Sequence, residues 1–236
     1  MEKELLQNLS SSNIRDILNG LNTANTLVEK YELQNVFVDK LYHSLVPLLT
    51  HTHFKIRSRS FNLIEILLSE YTSSITCPDV AIPSILLSIL AVHEAVADSA
   101  LSCLHLILEI SDTEVFWPDI EGVILDSRST NMRIKILDLL CEFVNKIPLS
   151  PIIKLLDDPK AQIRNAAKAI LDLADPACVK AALNRTRISF EAMEKLIAES
   201  AYDLADPKLA ARDVKKIAVG NRTTDLVRKR ATLRRK

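Results

Sequence analysis

The residues of this 236-residue chain with the most chemistry to offer are its five histidines, His43, His51, His53, His93 and His105. His105 and Glu109 stand four apart, the spacing that places two ligands on one helical face, and His51-x-His53 would offer two more from a turn. Two ligands do not make a metal centre, and no third residue accompanies either pair. The four cysteines, Cys77, Cys103, Cys141 and Cys178, are widely separated, with no C-x-x-C pair; this is the usage of a reducing compartment. Scattered Ser and Cys form no nucleophile elbow or paired base. With only 3 Gly, neither G-x-G-x-x-G nor G-x-x-x-x-G-K can be written, so dinucleotide and P-loop chemistry lack their backbone. The expectation is a chain that is not an enzyme and carries no cofactor, metal or small-molecule substrate.

The charged residues are more informative. Lys plus Arg and Asp plus Glu both number 30, for a net charge of zero. Residues 1–118 nevertheless hold 7 basic against 14 acidic residues, and residues 119–236 hold 23 against 16. The last fifteen, Arg222 to Lys236, carry seven basic residues and one acid. They form a separate electrostatic object behind an acidic body. Across 41–118 the only basic residues are Lys55, Arg57 and Arg59, while the eight acids of that stretch lie outside the 51–59 segment. Arg128 and Arg133, Lys160 and Arg164, and Lys208 and Arg212 repeat such clustering further along.

The elements that must position these residues are helical. Apolar residues recur at three- and four-residue steps, as in Leu63, Ile64, Ile66, Leu67 and Leu68, and strict alternation is rare. Breaks are expected at 10–13, 51–53, 72–79, 127–131, 148–151, 157–159, 175–176, 184–189 and 206–207, where polar residues or Pro interrupt the pattern. The one Asn-Gly pair, Asn19-Gly20, reads as the end of a helical segment. The longest uncharged apolar stretch, Val80 to Val92, is interrupted by Pro83 and falls well short of the roughly 20 residues a bilayer requires. Together with the charged start Met1-Glu2-Lys3-Glu4, unlike a signal peptide, this predicts a cytoplasmic chain without a membrane span.

One pattern returns along the chain: an apolar helix end, a polar turn, an apolar-Arg step and a second apolar helix. Its steps are Ile14-Arg15, Ile56-Arg57, Val96-Ala97, Met132-Arg133 and Ile163-Arg164, with a further copy at Arg212. A period of 31–48 residues in paired helices resembles the HEAT repeat, and Asp158-Pro159-Lys160-Ala161-Gln162-Ile163-Arg164 lies close to that family's turn. The resemblance implies an all-α fold, an α-solenoid of about six stacked HEAT-like hairpins over residues 1–221, followed by the basic tail 222–236. Stacking would bring every intra-hairpin turn to one edge. Deoxyhypusine hydroxylase, a HEAT-like enzyme, holds two irons with His-Glu dipeptides in several repeats; here only His93-Glu94 answers, the other offsets reading His53-Phe54, Ser129-Thr130 and Lys160-Ala161.

A compact array of this size with function on its turns looks like a TOG domain, the tubulin-binding HEAT array of microtubule regulators including the CLASP family. The resemblance implies a protein partner, tubulin, a cytoskeletal location, and contact through the turn edge. Carried over by position, the turns are Ser11-Ser12-Asn13, His53-Phe54-Lys55, His93-Glu94, Arg128 to Asn131 and Asp158-Pro159-Lys160. Many family members place Trp or another large apolar residue in the first turn, where this chain has Ser and Asn. The expected partner-binding residues are Asn13, His53, Lys55, Arg59, His93, Arg128, Asn131, Lys160 and Lys208. The Arg of each apolar-Arg step is expected instead to tie neighbouring repeats together, and Trp117 to fill core. The alternative is a general helical-repeat adaptor of a transport, phosphatase or chaperone complex. A nucleic-acid binder fits least, because the acidic body repels phosphate.

Overall fold

The computed structural model describes residues 2–30, 33–90, 93–186 and 188–189. Lys208, Arg212 and the basic tail lie outside them. The described elements are helices α1 (Glu2–Leu9), α2 (Ile14–Glu29), α3 (Asn35–Leu45), α4 (Phe54–Glu70), α5 (Ile82–Ile89), α6 (Glu94–Ile110), α7 (Thr113–Asp126), α8 (Thr130–Leu140), α9 (Leu149–Lys154), α10 (Ala161–Leu173) and α11 (Pro176–Arg185). Short 3-10 turns join several of them, at Val46–Thr50, Thr72–Ser74, Pro78–Ala81, Cys141–Phe143 and Leu155–Asp157. Two compact units result, one ending at Pro148 and the other beginning at Leu149. The fold is an all-α solenoid of helical hairpins: four in the first unit (α1–α2, α3–α4, α5–α6, α7–α8), and α9–α10 followed by α11 in the second.

Side-chain caps start four of the helices. Asn13, Asp112 and Asp175 accept from the backbone N–H two residues on, and Ser129 from that of Met132. These bonds satisfy donors that have no partner within the helix. Each hairpin contributes an apolar stripe to a common interior: Leu5, Leu9 and Leu21, then Leu41, Leu45, Ile56 and Phe61, then Ile85, Leu104 and Ile107 are all buried. A hairpin has two apolar faces and can cover only one by itself, so the next hairpin covers the other. Trp117 joins this core at 5% exposure.

Gly20 corrects the sequence reading. It lies inside α2, buried, and does not end a helix. A Cβ there would come within 3.1 Å of the Asn8 Cβ and 3.2 Å of a Leu9 methyl, so glycine lets α1 lie against α2 with no side chain between them. The break between α6, which ends at Ile110, and α7, which begins at Thr113, was not among those expected.

Cys103 is fully buried against the Phe61 carbonyl, 3.7 Å away, and burial pushes its thiol far up from the ordinary range. Cys77 and Cys178 are exposed. A thiol reagent added to the native chain should label Cys77 and Cys178 at once and Cys103 only on unfolding, because the thiolate is the reacting species. Mass spectrometry of the labelled peptides checks the order; early labelling of Cys103 would refute this packing.

Candidate functional site: the turn edge

The second helices of the hairpins in the first unit are stitched side to side by polar contacts of constant offset. Arg59 Nη1 donates to Asn22 Oδ1 (2.5 Å), Ser102 Oγ to Glu65 Oε1 (2.6 Å) and Lys146 Nζ to the Glu109 carbonyl (2.7 Å). Lys135 Nζ lies 3.6 Å from Asp98 Oδ1, and His105 Nε2 lies 3.0 Å from Glu142 Oε2. Each pair is separated by 37 residues. The three contacts between α6 and residues 135–146 share one positive offset, so α6 and α8 run parallel; α2 packs on α4 and α4 on α6 likewise as second helices of successive hairpins, which brings their N-terminal turns to one end of the unit. His105 is therefore committed to the next hairpin, not to Glu109. Among the described residues no three His, Cys, Asp or Glu side chains converge as metal ligands, and no helix is long and apolar enough to cross a membrane.

The helices begin at 14, 54, 94 and 130, steps of 40, 40 and 36. Against an offset of 37, α2 starts three residues before the level of α4, and α4 three before α6. At 1.5 Å per residue each stagger is about 4.5 Å. This explains the first correction at the edge. Ile14 is no equivalent of Ile56, Val96, Met132 and Ile163, which are buried as the third residue of their helices. Ile14 opens a helix end projecting past its neighbour, and 43% of its surface is exposed; Ile17 takes the buried place.

In the first turn Ser11 Oγ donates to Asp16 Oδ2 (3.1 Å) and accepts the Asn13 N–H, while Asn13 Oδ1 accepts from the Arg15 N–H. Asn13 is exposed at the helix start. In the second turn His51 Nδ1 accepts the backbone N–H of His53 (3.0 Å). The His53 Nδ1 atom is buried with no partner. Lys55 and Arg59 are exposed beside it. The Phe54 ring, 37% exposed, meets the His93 ring of the third turn with centroids 4.4 Å apart. Arg128 and Asn131 are exposed at the fourth turn. Lys160 is exposed in the α9–α10 turn of the second unit, its backbone N–H bonded to Asp158 Oδ1.

Two of the step arginines bond carbonyls of their own hairpins. Arg133, 6% exposed, donates from Nε to the Ile124 carbonyl at 2.6 Å, and Arg164 Nη1 donates to the carbonyls of Asp158 (2.7 Å) and Pro159 (3.1 Å). Both acceptors belong to the arginine's own hairpin. The reason is local: the Ile124 carbonyl in the last turn of α7 lacks an intrahelical donor, the Asp158 and Pro159 carbonyls lie in the turn before α10, and a guanidinium one turn into the second helix reaches either kind. Arg133→Met should lower stability by about 1–3 kcal/mol, since it leaves a buried carbonyl unpaired. An unchanged midpoint in urea would contradict this role. The cross-hairpin tie is made by Arg59, one of the residues read as a partner contact.

Sequence reasoning passed over Ile14 and Phe54 as site residues. A signal existed for Phe54: it precedes buried Ile56 by two residues, about 200° around a helix, and so cannot share its inward face. For Ile14 the signal was absent, because its exposure comes from the stagger between helices.

No family model and no curated protein matches the sequence. Solved structures do match in fold. A structure described for microtubule plus-end tracking by XMAP215, CLIP-170 and EB1 superposes with a TM-score of 0.65 at 12% identity, covering 83% of this chain and 88% of that one. The TOG domain of Zyg9 from C. elegans gives 0.62 at 13%, covering 83% and 79%. A structure described for TOG–tubulin binding specificity gives 0.60 at 18%, covering 83% and 80%. The chain is an all-α solenoid whose fold resembles that of a TOG domain.

Proposed function

We propose that this chain is a non-catalytic binding module that holds tubulin through its intra-hairpin turns. The observation that carries the reading is the parallel register of α2, α4, α6 and α8, which aligns the turns of the first unit at one end. That end presents Ile14 and Phe54 as apolar contacts and Lys55, Arg59 and Arg128 as cations. Between Arg59 and Arg128 the chain bears no Lys or Arg, so across residues 41–128 positive charge is confined to the turns. Tubulin is acidic, and opposed charge would steer and orient the encounter, while the exposed aromatic and aliphatic side chains would supply desolvated contact. In the second unit Lys160 occupies the equivalent turn, and Lys208 is proposed as a further contact.

The test is co-migration of the full chain with soluble tubulin, comparing the natural sequence with a Lys55→Glu/Arg128→Glu variant. Loss of the complex with the helical signal intact supports the turns as the contact surface. Undiminished binding overturns it, and failure of the natural chain to bind tubulin at all favours the adaptor reading.

A further inference from the structure

The opposite end of the first unit carries a feature that the turn edge does not use. Between the loop that precedes α5 and the loop that precedes α7 lies an open cavity of about 300 Å³, lined by Ile75, Asp79, Ile110, Ser111, Asp112 and Val115 among others. It sits at the C-terminal ends of α4 and α6, so the 17-residue length of these helices, about 25 Å, separates it from the turns. The hydroxyl of Ser111 is buried there and has no hydrogen-bond partner. Asp112 uses one oxygen, Oδ1, to accept the Glu114 N–H. Val115 is 69% exposed and Ile110 36% exposed at the same place. Its wall is held by Asp39, whose Oδ1 accepts both the hydroxyl (2.5 Å) and the backbone N–H (2.8 Å) of Thr76, bonds that keep its carboxyl below the usual range.

The surrounding charge selects the occupant. Between Arg59 and Arg128 the chain has eleven Asp and Glu and no Lys or Arg, and Lys146, which reaches this end from α8's hairpin, spends its ammonium on the Leu108 and Glu109 carbonyls. A long cationic side chain fits what is present: carboxylates to receive its charge and aliphatic surface for its methylene stem.

We propose that this cavity is a docking site for a basic peptide segment of a partner protein, with one Arg or Lys entering between Asp79 and Asp112 and a neighbouring apolar residue lying on Val115 and Ile110. The site is independent of tubulin. Its distance from the turns lets both be occupied together, which would make the chain a connector between two proteins.

A fluorescein-labelled dodecapeptide alternating Arg and Leu, titrated with the full chain and read by anisotropy, tests the proposal. Asp79→Asn/Asp112→Asn keeps the cap of α7, since Asn caps as well as Asp, and should weaken binding tenfold or more. Glu2→Gln/Glu4→Gln removes the same charge from an exposed stretch elsewhere and should leave binding within twofold. Val115→Arg places a cation at the mouth without touching the acids and should also weaken it tenfold. Equal loss from both charge-removing variants would show only a general acidic field and overturn the site, as would unaffected binding in the Asp79/Asp112 or Val115 variant, or no binding by the natural chain. Soluble tubulin binding, measured on the same variants, should not change, so failure here and failure at the turns are distinguishable.

Discussion

Lys55→Glu/Arg128→Glu is expected to weaken tubulin binding by about 100-fold, about 1–1.5 kcal/mol for each of two charged contacts. Two mechanisms act together. Reversal replaces attraction by repulsion at two turns of the same edge, which slows encounter, and it leaves any partner carboxylate desolvated without a cation, which speeds release. Both side chains are exposed, so the fold should be untouched and the melting curve unchanged. The natural chain should bind less tightly as salt rises, with exposed charges screened over about 8–10 Å at physiological ionic strength, and the variant should show a flatter dependence. Equal salt slopes for the two chains would mean that other residues make the contact. Phe54→Ala completes the comparison: its loss should persist at high salt, since apolar burial does not depend on screening.

The largest effect on stability should follow from Phe61→Ala. Phe61 is fully buried in the middle of α4, and its carbonyl receives the Cys103 thiol from α6. Removing the ring deletes transfer free energy and leaves a cavity, for a cost of about 3–5 kcal/mol. Against total stabilities of about 5–15 kcal/mol this is a large share, and at about 2–4 °C per kcal/mol it lowers the melting temperature by roughly 10 °C. Circular dichroism on heating measures it. Cys103 should then become labelled under native conditions, a second readout that would not move if the ring merely faced solvent.

The helical class, the hairpin repeat and four of the turns could be read from residue types alone. An apolar stripe every three or four residues and a polar Asx or Pro break report local preferences, and local preferences survive in the fold. The breaks at 10–13, 51–53 and 157–159 separate helices where the pattern places them, while α8 begins at Thr130 inside the expected 127–131 break and α9 at Leu149 inside the expected 148–151 break. Gly20 was misread because its small size answers a need in three dimensions, the approach of α1, and not the local need to stop a helix. Sequence spacing places Arg133 and Arg164 one turn inside a helix, but only the fold shows that they bond carbonyls of their own hairpins.

What the amino-acid order determined by itself is the set of helices, their apolar faces and the gathering of cations at the turns, since each follows from interactions within about ten residues. The tertiary structure decided the 37-residue register between parallel helices, the stagger that exposes Ile14, the meeting of Phe54 with His93 and the cavity between the loops before α5 and α7. These depend on how far one hairpin slides along the next, and that sliding is fixed by the packing of whole apolar faces, a sum over many side chains that no single segment contains.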